Sequence, residues 1–93
     1  MKRVLLKSAA FVRAARRLAK KNPEVASVLQ AALNSLAEDA FHPSLKTHKL
    51  KGELVGSWAS SGGYDLRIVF EFVQHEGTEA IQLQSVGTHD EVY

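Results

Sequence analysis

The chain has 93 residues, 45% of them hydrophobic and 24% charged, and a formal net charge of +2. That length admits one core and so a single domain over residues 1–93, with the composition of a globular rather than a disordered chain. It contains no cysteine, which excludes disulfides and thiolate metal sites. No apolar run nears the ~20 residues that span a bilayer. The Val4-Leu5-Leu6 run is too short for a signal-peptide core, so the expected location is the cytoplasm, away from membranes.

The small net charge hides a strong asymmetry. Residues 1–23 carry eight Lys or Arg and no acid, and residues 46–52 carry three lysines. Residues 53–93 carry seven acids and a single base, Arg67. Two cationic segments suit a polyanion such as RNA. They also suit a plain solvated surface, and charge by itself does not choose between the two.

In chain order, Lys2 to Lys7 reads as a first strand around Val4-Leu5-Leu6. Ser8 is a good N-cap, and Phe11, Ala15 and Leu18 follow at helical spacing with arginines and lysines between them. Asn22-Pro23-Glu24 restarts the chain, with Asn as cap, Pro at the first helical position and an acid in the first turn. Val25, Val28, Leu29, Ala32, Leu33 and Leu36 form the apolar stripe of a second helix, and the short connection predicts an antiparallel helical hairpin. Phe41 to Gly52 reads as irregular and polar. Leu54 to Ser60 reads as a strand holding Trp58, Ser61-Gly62-Gly63 as a turn, and Tyr64 to Val73 as the strongest strand. His75-Glu76-Gly77-Thr78 is a hairpin loop into the alternating run Ala80 to Val86, which ends on Gly87.

The predicted architecture is therefore α+β: a strand, a two-helix hairpin, then a three-stranded antiparallel meander. The helices cover one sheet face and leave the other open to ligand.

Several side chains are candidates for chemistry. Asp65 and Arg67 share a strand face because they are two apart. They are either a surface ion pair, worth ~0–1 kcal/mol when exposed, or a guanidinium set to hold a phosphate beside its carboxylate. His48 lies among Lys46, Lys49 and Lys51, surroundings that suit a general base if it is not simply a solvated loop residue. His89 adjoins Asp90 and Glu91, which suits a general acid, so the two histidines make an acid/base pattern if the fold brings them together. His42 and His75 read as surface residues. Trp58 reads as core or rim, and Tyr93 as either of these or as a platform for a base. No histidine pair has metal-ligand spacing, no glycine-rich phosphate loop occurs, and no serine sits in an elbow motif, so neither metal nor cofactor is expected.

Three stretches together resemble the RelE/ParE toxin superfamily, and within it the YafQ-like messenger-RNA interferases. They are His48-Lys49-Leu50-Lys51-Gly52, Tyr64 to Phe70 with its Asp-x-Arg, and the ending Gly87-Thr88-His89-Asp90-Glu91-Val92-Tyr93. The resemblance covers the whole domain in element order and its second half in motif.

That resemblance implies the RelE-like fold and a small, ribosome-dependent endoribonuclease neutralised by a cognate antitoxin, whose acidic amphipathic segment complements the basic surface. It implies site roles for His48, Asp65, His89 and Tyr93, with Arg67 matching a phosphate-binding arginine of many relatives. In the implied reaction the ribose 2′-OH attacks the adjacent phosphate, with His48 as base aided by Asp65, and His89 as acid. Arg67 steadies the charge, Tyr93 stacks on a base, and Lys46, Lys49 and Lys51 hold the RNA backbone. YafQ-like toxins can carry a further histidine before the strand Asp, where this chain has only Ser60 or Ser61. Two rival expectations follow: a ParE-like inhibitor of DNA gyrase, and a module that binds antitoxin and RNA but cuts nothing.

Overall fold

Ser8 and Asn22 set where the two helices begin. The Ser8 hydroxyl accepts from the Phe11 N–H at 3.0 Å and opens α1 (Ala9–Lys21). Asn22 Oδ1 accepts from the Glu24 N–H at 3.2 Å, and Pro23, at φ −57°, presets the turn into α2 (Glu24–Glu38). Helical spacing then buries Phe11, Ala14 and Leu18 of α1 against Leu29, Ala32, Leu33 and Leu36 of α2. Lys20 and Lys21 close α1 at its negative dipole end.

In the computed structural model, residues 2–52, 56–63 and 65–88 are described. After a 3₁₀ turn (Pro43–Leu45) come β2 (His48–Lys49), β3 (Trp58–Ser61), β4 (Leu66–His75) and β5 (Thr78–Thr88), with β1 (Leu5–Lys7) preceding α1. The sheet runs β1-β5-β4-β3-β2, with β1 parallel to β5 and the other pairs antiparallel. The meander β3-β4-β5 and the helical hairpin on one face are as the sequence predicts.

Four details differ. The segment expected to be irregular contributes the two-residue edge strand β2, which is too short to leave any periodicity in the sequence. β4 starts and ends two residues later than expected. The described part of β3 starts at Trp58, while Leu54 lies outside the described residues. The last strand does not stop at Gly87, because Gly87 and Thr88 pair with Arg67 and Leu66.

Glu76 and Gly77 sit at φ 51° and 80° between the paired residues His75 and Thr78. This is the type I′ geometry that joins β4 to β5 without splaying them. Pairing then slips: Val69 faces Ser85 but Phe70 faces Leu83, so Gln84 is an extra residue in β5. This bulge keeps Ile81, Leu83 and Val86 all in the core despite the three-residue step from Leu83 to Val86. Their partners from β4 are Leu66, Ile68 and Phe70. Truncating one of these fully buried side chains, such as Ile68, costs ~2–5 kcal/mol, a large part of the ~5–15 kcal/mol that holds such a domain.

Gly62 marks the closest approach of the β3–β4 loop to the helices. A Cβ there would lie 2.9 Å from the Ala32 Cβ and 3.0 Å from Leu66 Cδ2. The second sheet face is less open than the sequence suggests, since Ala59 (0% exposed) and Val69 (5%) are buried at its centre.

Candidate functional site

Alternation along the strands puts His48, Ala59, Ser61, Arg67, Val69 and Glu71 on the sheet face away from the helices. His48 pairs with Ala59, and Ala59 with Val69, making one row across three strands. Ser61, Arg67 and Gly87 make the next row. Two strand steps and two residues along the chain separate His48 from Arg67, about 12 Å between Cα atoms.

The His48 ring is exposed and its Nδ1 lies 2.9 Å from the Lys46 carbonyl oxygen. A carbonyl only accepts, so Nδ1 carries the proton and donates it. In the neutral ring Nε2 is then left with its lone pair outward, as a base requires. Lys46 adopts a left-handed conformation, φ 50° and ψ 40°, at the end of the 3₁₀ turn. That twist sets the direction of the carbonyl that holds the ring.

Arg67 is half-buried. Its Nη1 donates to the Leu66 carbonyl at 3.1 Å, and its Nη2 lies 3.9 Å from Asp65 Oδ1. With the side chains 24% and 58% exposed, the ion pair contributes ~0–1 kcal/mol. Its larger effect is to aim a guanidinium that keeps further N–H donors for an anion.

The other predicted residues divide. Lys46 and Lys51 are exposed on the loops flanking β2. Lys49 alternates with His48 and lies on the helix side of the edge strand, with Nζ 5.5 Å from the centre of the Trp58 ring. His89 and Tyr93 lie outside the described residues, as do Tyr64, Asp90, Glu91 and Val92. His42 and His75 are off the face: His42 caps the 3₁₀ turn, and His75 ends β4 within 4.0 Å of Glu76.

The structure separates the two serines that the sequence leaves equivalent. Ser60 is fully buried on the helix side, its hydroxyl 2.7 Å from that of Thr47. Ser61 is half-buried, on the Arg67 face and directly paired with Arg67.

Sequence reasoning missed a polar chain on this face. Ser57 Oγ donates to Gln84 Oε1 at 2.8 Å, and Gln84 Nε2 donates to Glu71 Oε2 at 3.0 Å. Its central member is the bulged residue, and the uneven step from Leu83 to Val86 is the signal that locates it. Among the described residues no group of three or more His, Asp or Glu side chains is placed to hold a metal ion. Among the described residues no helix is long and apolar enough to cross a membrane.

No protein-family model and no curated protein matches the chain. Solved structures do. YafQ from E. coli strain BL21(DE3) aligns over 99% of this chain and 99% of its own, at 15% identity and a TM-score of 0.78. The YoeB/ParE toxin from Agrobacterium tumefaciens covers 92% of this chain and 98% of its own, at 13% identity and a TM-score of 0.74. The toxin–antitoxin complex RelBE2 from Mycobacterium tuberculosis matches 96% of this chain and 100% of the matched partner, at 18% identity and a TM-score of 0.72. Identities this low speak for fold rather than for chemistry. Taken with the helical hairpin and the sheet order above, they establish that the chain has the RelE/ParE toxin fold, which it shares with YafQ.

Proposed function

We propose that the chain is the toxin of a type II toxin–antitoxin pair and an endoribonuclease that cuts messenger RNA, on the ribosome, in the cytoplasm. The observation that carries this reading is the pairing of Arg67 with Gly87. It sets the one Lys or Arg of residues 53–93 beside a position that lacks a side chain, two residues before His89 in sequence. The fold relatives supply the toxin and antitoxin roles, and the side chains supply the chemistry.

In this reading Arg67 binds the scissile phosphate through parallel N–H donors. His48 Nε2 takes the proton from the ribose 2′-OH, whose oxygen attacks phosphorus. The bond to the 5′-oxygen breaks, and His89 gives that oxygen its proton. The products are a 2′,3′-cyclic phosphate and a 5′-OH end. Asp65 steadies Arg67, Lys46 and Lys51 hold the RNA backbone, and Tyr93 stacks on a base. Lys49, turned toward Trp58, contributes charge at the edge of the face rather than over its centre. Acid–base chemistry by side chains suffices for every step.

One observation favours a second reading, a module that binds antitoxin and RNA without cutting. The residue facing Arg67 on β3 is Ser61, whose hydroxyl does not titrate near neutral pH. Expression of the chain without its partner separates the two. The nuclease arrests growth and loses that toxicity in His89→Ala, whereas an inert module leaves growth unchanged in both.

A further inference from the structure

Phe41 is 52% exposed and follows the end of α2 by three residues. It packs against two aromatic rings on the helix side: Trp58 at 5.5 Å and 80°, and Phe72 at 5.7 Å and 21°. Trp58 and Phe72 meet edge to face at 5.3 Å. Beside them lies a depression of about 460 Å³ lined by Lys49, Leu50, Gly56, Ser57, Trp58 and Phe72. Nothing in the proposed RNA chemistry uses this cluster.

Two features say what fits it. Two of the three rings carry a cation: Lys49 Nζ sits over the Trp58 ring at 5.5 Å, and the Arg3 guanidinium over the Phe72 ring at 5.3 Å. A nucleobase needs a free face to stack on, and at Trp58 and Phe72 a cation competes for it. What remains is a knobbed apolar surface with a pocket, the form taken by anchoring sites in protein interfaces, where aromatic residues and Arg are enriched. The rim is cationic. Arg3 is already paired with Glu79 at 2.8 Å, but among the described residues no carboxylate pairs with Lys46, Lys49 or Lys51. A second copy of this chain docked through the same patch would bring the same three lysines against them, so the complement to this patch is acidic.

We infer that the Phe41–Trp58–Phe72 cluster and its pocket are the anchoring site for an acidic polypeptide segment that inserts one apolar side chain and pairs its carboxylates with Lys46, Lys49 and Lys51. This locates the antitoxin contact of the proposed function and rests on that reading for the identity of the partner. A segment anchored here claims the lysines that would otherwise hold RNA, so seating it and seating RNA exclude each other at the edge of β2.

Trp58 is the only tryptophan in the chain and reports on the site directly. Its emission is followed while the protein is titrated with a peptide of glutamates interspersed with single leucines. The same titration is run with a peptide in which serine replaces each leucine, and with a single-stranded RNA oligonucleotide. The inference predicts an emission shift with the leucine peptide and none with the serine peptide. It predicts roughly tenfold or greater weakening in Phe41→Ala, the scale of a lost aromatic anchor. Lys49→Glu, which leaves the ring cluster in place, weakens the peptide as well. Phe41→Ala should fold, since its side chain is half in solvent, and should cleave RNA as the parent does. No shift with the leucine peptide, or an unchanged affinity in both variants, overturns the inference. So does an RNA-induced shift that depends on Phe41, which would make the cluster a nucleic-acid platform. Because the readout is binding, the titration decides the matter even for a chain that never cuts RNA.

Discussion

The Nδ1 of His48 donates to the carbonyl of Lys46 across 2.9 Å, a bond made possible by the left-handed backbone of Lys46. It fixes the neutral tautomer with Nε2 as acceptor and gives the exposed ring a direction. His48→Ala should therefore lower RNA cleavage by ~10²–10⁴, the usual span for a lost general base, while RNA binding changes little.

Arg67 separates chemistry from stability. The Asp65–Arg67 contact is long and solvent-exposed, so the coupling energy between the two side chains in a double-mutant cycle should be less than ~1 kcal/mol. Arg67→Ala should cost ~10²–10³ in cleavage rate by removing charge stabilisation at the phosphate. Arg67→Lys, a point charge without the paired donors, should recover only part of it. Thermal unfolding and single-turnover cleavage, measured on the same samples, check both halves.

Much of this arrangement is legible in the sequence, where a local rule has a local cause. Ser8 caps α1, Asn22-Pro23 opens α2, and Glu76-Gly77 makes the tight hairpin, each through a backbone need that its residue type meets. Strand alternation gives Arg67 its face, but Asp65, expected beside it in the same strand, lies in the turn before β4 and meets Arg67 from there. What the sequence hides depends on partners far away. β2 exists only because His48 and Lys49 find Ala59 and Trp58, and the side taken by Lys49 follows from that pairing. The bulge at Gln84 leaves only a broken rhythm between Leu83 and Val86. Ser60 and Ser61 look alike in the sequence, and only the register on β4 assigns one to the core and the other to Arg67.

That assignment makes a prediction of its own. Ser61→His places an imidazole beside Arg67 on a half-buried position and should raise the cleavage rate with little loss of stability. Ser60→His forces a ring into a fully buried site and breaks the Thr47 hydrogen bond, so it should destabilise the fold by ~1–3 kcal/mol or more. Denaturant melts of the two variants, beside cleavage assays, distinguish the positions.

Gly62 tests the packing of the loop under the site. Gly62→Ala puts a methyl group 2.9 Å from the Ala32 Cβ and should cost ~1–3 kcal/mol as an overpacked contact. Adding Ala32→Gly removes the contact with Ala32 but not the one with Leu66, and should restore part of that loss beyond simple additivity, since Ala32→Gly alone destabilises a helix interior by ~1 kcal/mol. A double-mutant cycle in urea provides the measurement.

The central claim is that this face cuts RNA, and the chemistry of the cut ends tests it most directly. RNA from cells expressing the chain, and from cells expressing Arg67→Ala or His48→Ala, is mapped for 5′-OH ends and 2′,3′-cyclic phosphates. The account predicts such ends within translated messengers for the parent chain and their loss in both variants. Growth arrest with intact messenger, or with the same ends in both variants, would contradict it.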